Sequence, residues 1–233
     1  MPRPVRFPVN EIFDSLQGEG PRCGIRARFV RFQFCNLTCS WCDTKESWLA
    51  KSGAWNWVEE TDLIDRLRGA RDLILTGGEP LLQPLDRLAL PGARIHVETN
   101  GTIIPTRPLE AVLRDGTPLG RPALREELIR DWTWVVSPKL SNSGQPGSPE
   151  ALAWWASRPW PFFKFIAAGP TDLEEIAETT RQFRLPGERV WVGLEGRTRD
   201  SQCRPALVEA IISNGWNYSP RLHVILWGAE KGR

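Results

Sequence analysis

The sequence lacks long apolar runs, an excess of charge of one sign and an even set of cysteines. No stretch approaches the ~20 consecutive apolar residues of a membrane span. Residues 1–15 contain no apolar run followed by a small-residue cleavage site, so we expect no signal peptide. The 30 basic and 28 acidic residues give a net charge of +2, and the basic residues are scattered. The charge pattern therefore predicts neither a nucleic-acid partner nor a membrane partner.

The composition is that of an ordinary globular chain. Of the 233 residues, 41% are hydrophobic and 25% are charged, which excludes the disordered and collagen-like classes. A chain of this length can bury one large core, and no internal repeat or linker divides it. We expect a single domain over residues 1–233.

Short apolar segments alternate with amphipathic segments along the chain. We predict strands over Arg28–Phe34, Asp72–Leu75, Arg94–Glu98, Trp132–Val136, Phe162–Ala167, Arg189–Leu194 and Arg221–Leu226. We predict helices over Val58–Arg68, Asp172–Phe183 and Ala206–Asn214. The alternation is typical of an α/β fold with a parallel sheet, and seven strands are too few for a closed eight-stranded barrel. We therefore predict an incomplete, open parallel β/α barrel, with Pro/Gly/Ser-rich loops over Pro105–Pro122 and Leu140–Pro149.

Three of the five cysteines lie within eight residues, directly after the first predicted strand: Cys35, Cys39 and Cys42. An odd, crowded set does not fit a disulfide framework, and it indicates a reducing, cytoplasmic location with a metal or cluster site. A structural zinc ion needs four closed ligands, and no fourth ligand stands at zinc-finger spacing. A [4Fe–4S] cluster on three thiolates leaves one iron open for a ligand. Three buried free cysteines are the remaining alternative.

The motifs beyond the cysteines resemble those of one family. C-x3-C-x2-C after the first strand resembles the signature of radical S-adenosylmethionine enzymes. The chain is further similar to the 7-carboxy-7-deazaguanine synthases in Asn10–Phe13, Leu16–Gly20, Phe29–Arg31, Cys39–Thr44, Thr76–Pro80, Glu98–Thr102 and Ser137–Lys139. The superfamily is indicated by the cysteines alone, whereas Leu-Gln-Gly-Glu-Gly together with Cys-Asp-Thr indicates the narrower family. The resemblance implies the radical S-adenosylmethionine type of partial barrel.

The resemblance also implies roles for individual residues. The cluster ligands would be Cys35, Cys39 and Cys42, and the ligand of a Mg²⁺ ion would be Thr44. S-adenosylmethionine would be held by Gly78, Glu79, Glu98, Ser137, Pro138 and Lys139. The pterin substrate would be held by Leu16, Gln17, Gly18, Glu19, Arg31 and Thr76.

Without the resemblance, each of these segments has a simpler interpretation. Thr76–Pro80 and Leu16–Gly20 are then glycine-containing turns, and Ser137–Lys139 is an ordinary loop. Glu98 could be a surface carboxylate and Arg31 a solvent-facing strand residue. Thr44 could equally be the N-cap of a following helix.

The implied reaction is the radical ring contraction of 6-carboxy-5,6,7,8-tetrahydropterin to 7-carboxy-7-deazaguanine, with loss of ammonia, on the route to queuosine. The cofactors would be a [4Fe–4S] cluster, S-adenosylmethionine and Mg²⁺; the electron donor would be a flavodoxin or ferredoxin, and the enzyme a homodimer. Two other functions remain open: an activase of a glycyl-radical protein and a zinc-stabilised binding module. Departures from the family pattern lie at Gly193–Gly196 and in the tail Trp227–Arg233.

Overall fold

The fold is built on one sheet that is parallel over most of its width. The computed structural model describes residues 4–48, 51, 53–113, 115–228, 230 and 232. The strands are β1 (Arg6–Leu16), β2 (Arg26–Phe32), β3 (Asn56–Glu59), β4 (Asp72–Gly77), β5 (Arg94–Thr99), β6 (Leu109–Val112), β7 (Pro118–Arg121), β8 (Thr133–Val136), β9 (Pro161–Ala167), β10 (Val190–Leu194) and β11 (Asn217–Tyr218). The helices are α1 (Glu60–Leu67), α2 (Glu126–Ile129), α3 (Pro149–Ala156), α4 (Pro170–Phe183), α5 (Arg199–Gln202), α6 (Pro205–Ser213) and α7 (Leu222–Trp227).

The main sheet runs in the order β11-β10-β9-β8-β5-β4-β2-β1-β3. Its seven strands from β2 to β11 are mutually parallel, whereas β1 pairs antiparallel with both β2 and β3. Because the order begins at β11 and ends at β3, the described sheet is open rather than closed. The expectation of an incomplete parallel β/α barrel is confirmed.

The two faces of the sheet carry different residues because side chains alternate along a strand. In β9, Phe163, Phe165 and Ala167 are fully buried and join the large core beneath the helices. The alternate positions Lys164 and Ile166 point into the concave face and line a cavity there. The same alternation operates in the neighbouring strands, so polar residues at inner positions converge on one space.

Several predicted elements were wrong in detail. Arg221–Leu226 is not a strand: Leu222–Trp227 forms α7, and the seventh parallel strand is the short Asn217–Tyr218. A short apolar run fits either a strand or a buried helix, so its periodicity could not decide between them. The predicted helix Val58–Arg68 is shortened to α1 because Val58 and Glu59 pair with β1 as part of β3.

Strand β1 and helix α3 were not predicted. The sequence of β1 contains a proline and several charged residues, so it lacks the apolar pattern of a typical strand. The predicted loop Pro105–Pro122 contains the hairpin of β6 and β7. Arg121 fixes this hairpin from a buried position by donating to the carbonyl oxygens of Leu81 (2.6 Å) and Pro105 (3.0 Å).

Candidate active site

A cavity of about 380 Å³ opens at the carboxyl ends of the parallel strands. It is lined by inner-face residues of the strands, by the turn before β2 and the loops that follow the strands, by the cysteine loop and by the segment around α7. Of the residues predicted to bind cluster, cofactor, metal or substrate, all but two line this cavity: Leu16, Gln17, Gly18, Glu19, Arg31, Cys35, Cys39, Cys42, Thr44, Thr76, Gly78, Glu98, Ser137 and Lys139. The exceptions are Glu79 and Pro138.

The cysteine loop begins with an unusual backbone. Phe34, fully buried, has a φ of 78°, a conformation that a bulky residue seldom adopts. It turns the chain sharply from β2 into the loop that starts at Cys35. The Cys35 sulfur accepts from the Leu37 amide at 3.4 Å, and the Cys42 sulfur accepts from the Trp48 indole at 3.3 Å. Such N–H···S contacts are among the factors that tune a bound iron–sulfur cluster.

The thiols fit a cluster better than a single zinc ion. Among the described residues, no three His, Cys, Asp or Glu side chains converge on one metal position. A cluster does not require such convergence, since each cysteine binds a different iron atom. Burial and the nearby Glu79 carboxylate raise the pKa of Cys35 to about 12. A bound metal would displace that proton, as metal ligation by thiols generally does.

The Thr76–Pro80 turn is held against the cysteine loop. A Cβ atom on Gly78 would lie 1.9 Å from the Phe34 carbonyl oxygen, so only glycine fits there. The amide of Glu79 donates to that same oxygen at 2.8 Å. The expected close approach of a glycine backbone is therefore present, but its neighbour is the backbone before Cys35.

Glu79 itself is fully buried and does not line the cavity. Its carboxylate accepts from the Leu81 amide (2.9 Å), the Thr99 hydroxyl (2.8 Å) and the Asn100 amide (2.7 Å). Burial raises the pKa of Glu79 despite these donors. In this arrangement the carboxylate ties the ends of β4 and β5 together, and its direct contact with the cofactor stays a prediction.

Lys139 places a cation beside the cysteines. Its ammonium donates to the Ser137 hydroxyl at 2.9 Å and lies 5.4 Å from the ring centre of Trp41. Burial lowers the pKa of Lys139, while the charges of nearby cysteines act in the opposite direction. A cation here would offset the negative charge of a thiolate-bound cluster. Pro138 lies between two cavity-lining residues without lining the cavity itself.

A polar network around Lys164 forms another wall of the cavity. This lysine, only 12% exposed, donates to Glu19 at 2.7 Å and to Glu98 at 2.9 Å. Glu98 also accepts from Gln17 at 3.0 Å and lies 2.8 Å from His96. Burial is the largest influence and opposes ionisation of Glu19 and Glu98, but Lys164 together with Arg221 at Glu19 and His96 at Glu98 outweighs it, so the pKa of each is lowered. Glu98 is therefore an ionised, mostly buried wall residue, and its interpretation as a surface carboxylate was wrong.

Arg31 lies on the inner face of β2 and is 18% exposed, which excludes the solvent-facing alternative. Its Nε atom donates to Glu11 at 2.6 Å, and its guanidinium lies 5.8 Å from the ring centre of Phe13. No described residue bonds its two Nη atoms. Arg31 thus has an internal anionic partner and two Nη groups left to face a ligand.

Thr44 precedes a short 3₁₀ turn, Lys45–Ser47, but its side chain forms no cap on that turn among the described residues. The hydroxyl lies 3.7 Å from the Cys42 sulfur and lines the cavity. The N-cap alternative is therefore not what the structure shows. A single hydroxyl fits Mg²⁺ only if water and substrate oxygens complete the shell, which is common for this ion.

Sequence reasoning missed Lys164, Asn100 and Arg221. Lys164 could have been found, because a lone charge inside the apolar strand Phe162–Ala167 must face a partner. Asn100 donates to Asn36 at 2.8 Å and approaches the Cys35 sulfur at 4.0 Å. Arg221 was hidden by the wrong strand prediction around it.

The tail departs from the family pattern, yet Gly228, Glu230 and Gly232 line the cavity. Residues 229, 231 and 233 of that tail lie outside the described residues.

None of the described helices is long and apolar enough to cross a membrane.

Comparisons with known proteins identify the family of the chain. The family model described as the radical SAM superfamily matches residues 29–119. The 7-carboxy-7-deazaguanine synthase of Pyrobaculum aerophilum is 33% identical, over 98% of each chain, and that of Hyperthermus butylicus is 34% identical, over 94% of this chain and 92% of its own. The crystal structure of QueE from Escherichia coli superposes with a TM-score of 0.66 at 24% identity, covering 92% of this chain and 93% of that one. The chain therefore belongs to the 7-carboxy-7-deazaguanine synthase family of the radical SAM superfamily.

Proposed function

We propose that the protein converts 6-carboxy-5,6,7,8-tetrahydropterin into 7-carboxy-7-deazaguanine with loss of ammonia. The observation that carries this proposal is one cavity that is lined both by the three cysteines and by a set of hydrogen-bond donors and acceptors. A pterin edge presents alternating donors and acceptors, and its bound form needs matching partners because buried polar groups are costly when unpaired.

The [4Fe–4S] cluster and S-adenosylmethionine supply, when bound, the radical that abstracts hydrogen from the substrate. Cys35, Cys39 and Cys42 would hold the cluster, and the ammonium of Lys139 would balance part of its charge. Gly78, Ser137 and the neighbouring Glu98 would orient the cofactor from the strand ends. Glu79 would act indirectly, by fixing the turn that carries Gly78.

The substrate would lie against the turn Leu16–Glu19 and the strand residues Arg31 and Thr76. Ionised Glu19 and the amide of Gln17 offer acceptors and a donor to the ring edge. The free Nη atoms of Arg31 form a fork that suits the substrate carboxylate. Thr44 would contribute one oxygen to a Mg²⁺ ion that the substrate carboxylate also binds.

We further propose a flavodoxin or ferredoxin as electron donor, a homodimeric assembly and a cytoplasmic location. The resemblance supports the donor and the homodimer. Free cysteines support the location, since such thiols persist in a reducing compartment.

Turnover of the carboxypterin tests the function. After anaerobic reconstitution with iron and sulfide, the protein should form 7-carboxy-7-deazaguanine when given S-adenosylmethionine, Mg²⁺ and reductant. Binding of zinc without iron uptake would favour the zinc-stabilised module. Cleavage of S-adenosylmethionine with no pterin product, but with activation of a glycyl-radical protein, would favour the activase.

A further inference from the structure

Arg221 joins two parts of the active site that are far apart in sequence. It stands directly before α7, and its side chain is only 11% exposed. Its Nε atom donates to Glu19 at 3.0 Å and its Nη1 atom to the Gly196 carbonyl oxygen at 2.9 Å. Its Nη2 atom donates to the Asp43 carboxylate. One guanidinium thus bridges the turn that ends at Gly20 and the segment that carries Cys42 and Thr44.

The two ends of this bridge are held differently. The turn is fixed several times over: Lys164 bonds Glu19, and the Leu222 amide donates to the Gly18 carbonyl oxygen at 2.9 Å. Asp43, in contrast, is 48% exposed, and among the described residues Arg221 alone bonds its carboxylate. Arg197 also holds this segment, since it donates to the Cys42 carbonyl oxygen at 2.8 Å, but it reaches neither Asp43 nor Glu19. The link between the Asp43 carboxylate and the turn therefore runs through the Arg221 side chain.

The segment Cys42–Thr44, which Arg221 contacts through Asp43, contains one predicted cluster ligand, Cys42, and the predicted Mg²⁺ ligand, Thr44. Asp43 lies between Cys42 and Thr44, so a shift of Asp43 moves both neighbours. An arginine suits this task because its planar fork bonds several acceptors at once, whereas a lysine ammonium offers a single point charge.

We propose that Arg221 is a positioning residue that couples the substrate-binding turn to the Cys42–Thr44 segment. This inference rests on the proposed function, because it assigns the turn to the pterin. Arg221 sets the distance between the bound substrate and the groups that act on it. Without Arg221 the substrate and the cluster should both still bind, but the substrate should no longer be held at the correct distance from the Cys42–Thr44 segment.

Arg221→Met tests the proposal, with Arg204→Met as the matched control. Arg204 also belongs to the C-terminal part of the chain and bonds three backbone carbonyl oxygens, those of Ala168, Glu195 and Ser201. It bonds neither Glu19 nor Asp43. A loss caused merely by destabilising this region would appear in both variants.

The first readout is amide hydrogen exchange and needs no turnover. Adding the carboxypterin to the reconstituted parent enzyme should slow exchange in peptides covering both 16–20 and 42–46. In Arg221→Met the slowing should be confined to 16–20, while Arg204→Met should behave like the parent. Iron content should be equal in all three proteins.

The second readout is the amount of product formed per S-adenosylmethionine cleaved. We expect this ratio to fall on the order of tenfold to a hundredfold in Arg221→Met, since small misplacements in an active site cost about that much. Asp43→Asn removes only the exposed end of the bridge and should lower the ratio in the same direction. The double variant should be no worse than Arg221→Met alone.

Each contrary result has its own meaning. If the parent shows no exchange response to the carboxypterin and forms no product, the proposed function fails and the inference falls with it. If the parent responds and Arg221→Met keeps both the 42–46 response and the product ratio, only the coupling role is overturned. The same holds if Arg204→Met fails as Arg221→Met does, or if Arg221→Met alone loses iron.

Discussion

Replacing Lys164 by Met should destabilise the fold strongly, because it leaves two carboxylates without their shared cation. Glu19 and Glu98 are 16% and 15% exposed, and both bond the Lys164 ammonium. Removing one partner of a buried ion pair costs about 3–5 kcal/mol. Glu19 keeps Arg221, and Glu98 keeps Gln17 and His96, so the lower end of that range applies.

A loss of about 3 kcal/mol should lower the melting temperature by roughly 6–12 °C, since each kcal/mol shifts a domain of this size by about 2–4 °C. Thermal unfolding followed by tryptophan fluorescence measures the shift. Met matches the length of the lysine stem without its charge, so the cavity term is small. The double variant Lys164→Met/Glu98→Gln should recover part of the loss, because it removes one of the two buried carboxylate charges that lose Lys164 as a partner.

The deficit should depend on pH in a defined direction. In the folded parent the pKa of each of the two carboxyls is lowered and the pKa of Lys164 is raised. The carboxylate contributions are therefore complete above the unfolded Glu pKa of about 4.3, and the lysine contribution is complete below about 10.4. The parent keeps the full benefit between those limits.

In the variant, burial acts on the two carboxyls without the opposing lysine charge, so their pKa values rise. Protonation then relieves the repulsion between them as the pH falls. The deficit in melting temperature should be smaller at pH 5 than at pH 8. A deficit of less than 2 °C at pH 8, or one that grows on acidification, would refute the assignment of Lys164 as the shared cation.

Three further substitutions test the site. Changing any one of Cys35, Cys39 or Cys42 to Ala should abolish iron binding, whereas the control variants Cys23→Ala and Cys203→Ala should keep it. Iron analysis that shows equal losses in a control variant would contradict the ligand assignment. Arg31→Ala should raise KM for the carboxypterin by about tenfold or more, since charge-assisted hydrogen bonds contribute about 1.5–3 kcal/mol, and cofactor cleavage should persist; an unchanged KM would place the carboxylate elsewhere. Thr44→Val should lose most of the Mg²⁺ stimulation of product formation that Thr44→Ser keeps, and a full response to Mg²⁺ in the Val variant would remove Thr44 from the metal site.

Much of the fold and site followed from local sequence. The cysteine spacing predicted the cluster site, and the apolar runs located six of the seven parallel strands to within a few residues. Strand alternation then places Arg31, Thr76 and Glu98 on the face opposite the helix-covered core. These features depend on residues close together in the chain, so a pattern in the sequence is sufficient to show them.

Tertiary structure decided the rest, because it concerns partners distant in sequence. The helix at Leu222–Trp227, predicted as a strand, packs against the turn at Gly18, where a Cβ would lie 2.2 Å from the His223 ring. The Glu79 side chain is buried because the Thr99 hydroxyl and the Asn100 amide, at the end of β5, donate hydrogen bonds to its carboxylate. The bridge from Glu19 through Arg221 to Asp43 joins residues about two hundred positions apart. No local pattern encodes such a contact, since its energy arises only when the sheet brings the strand ends together.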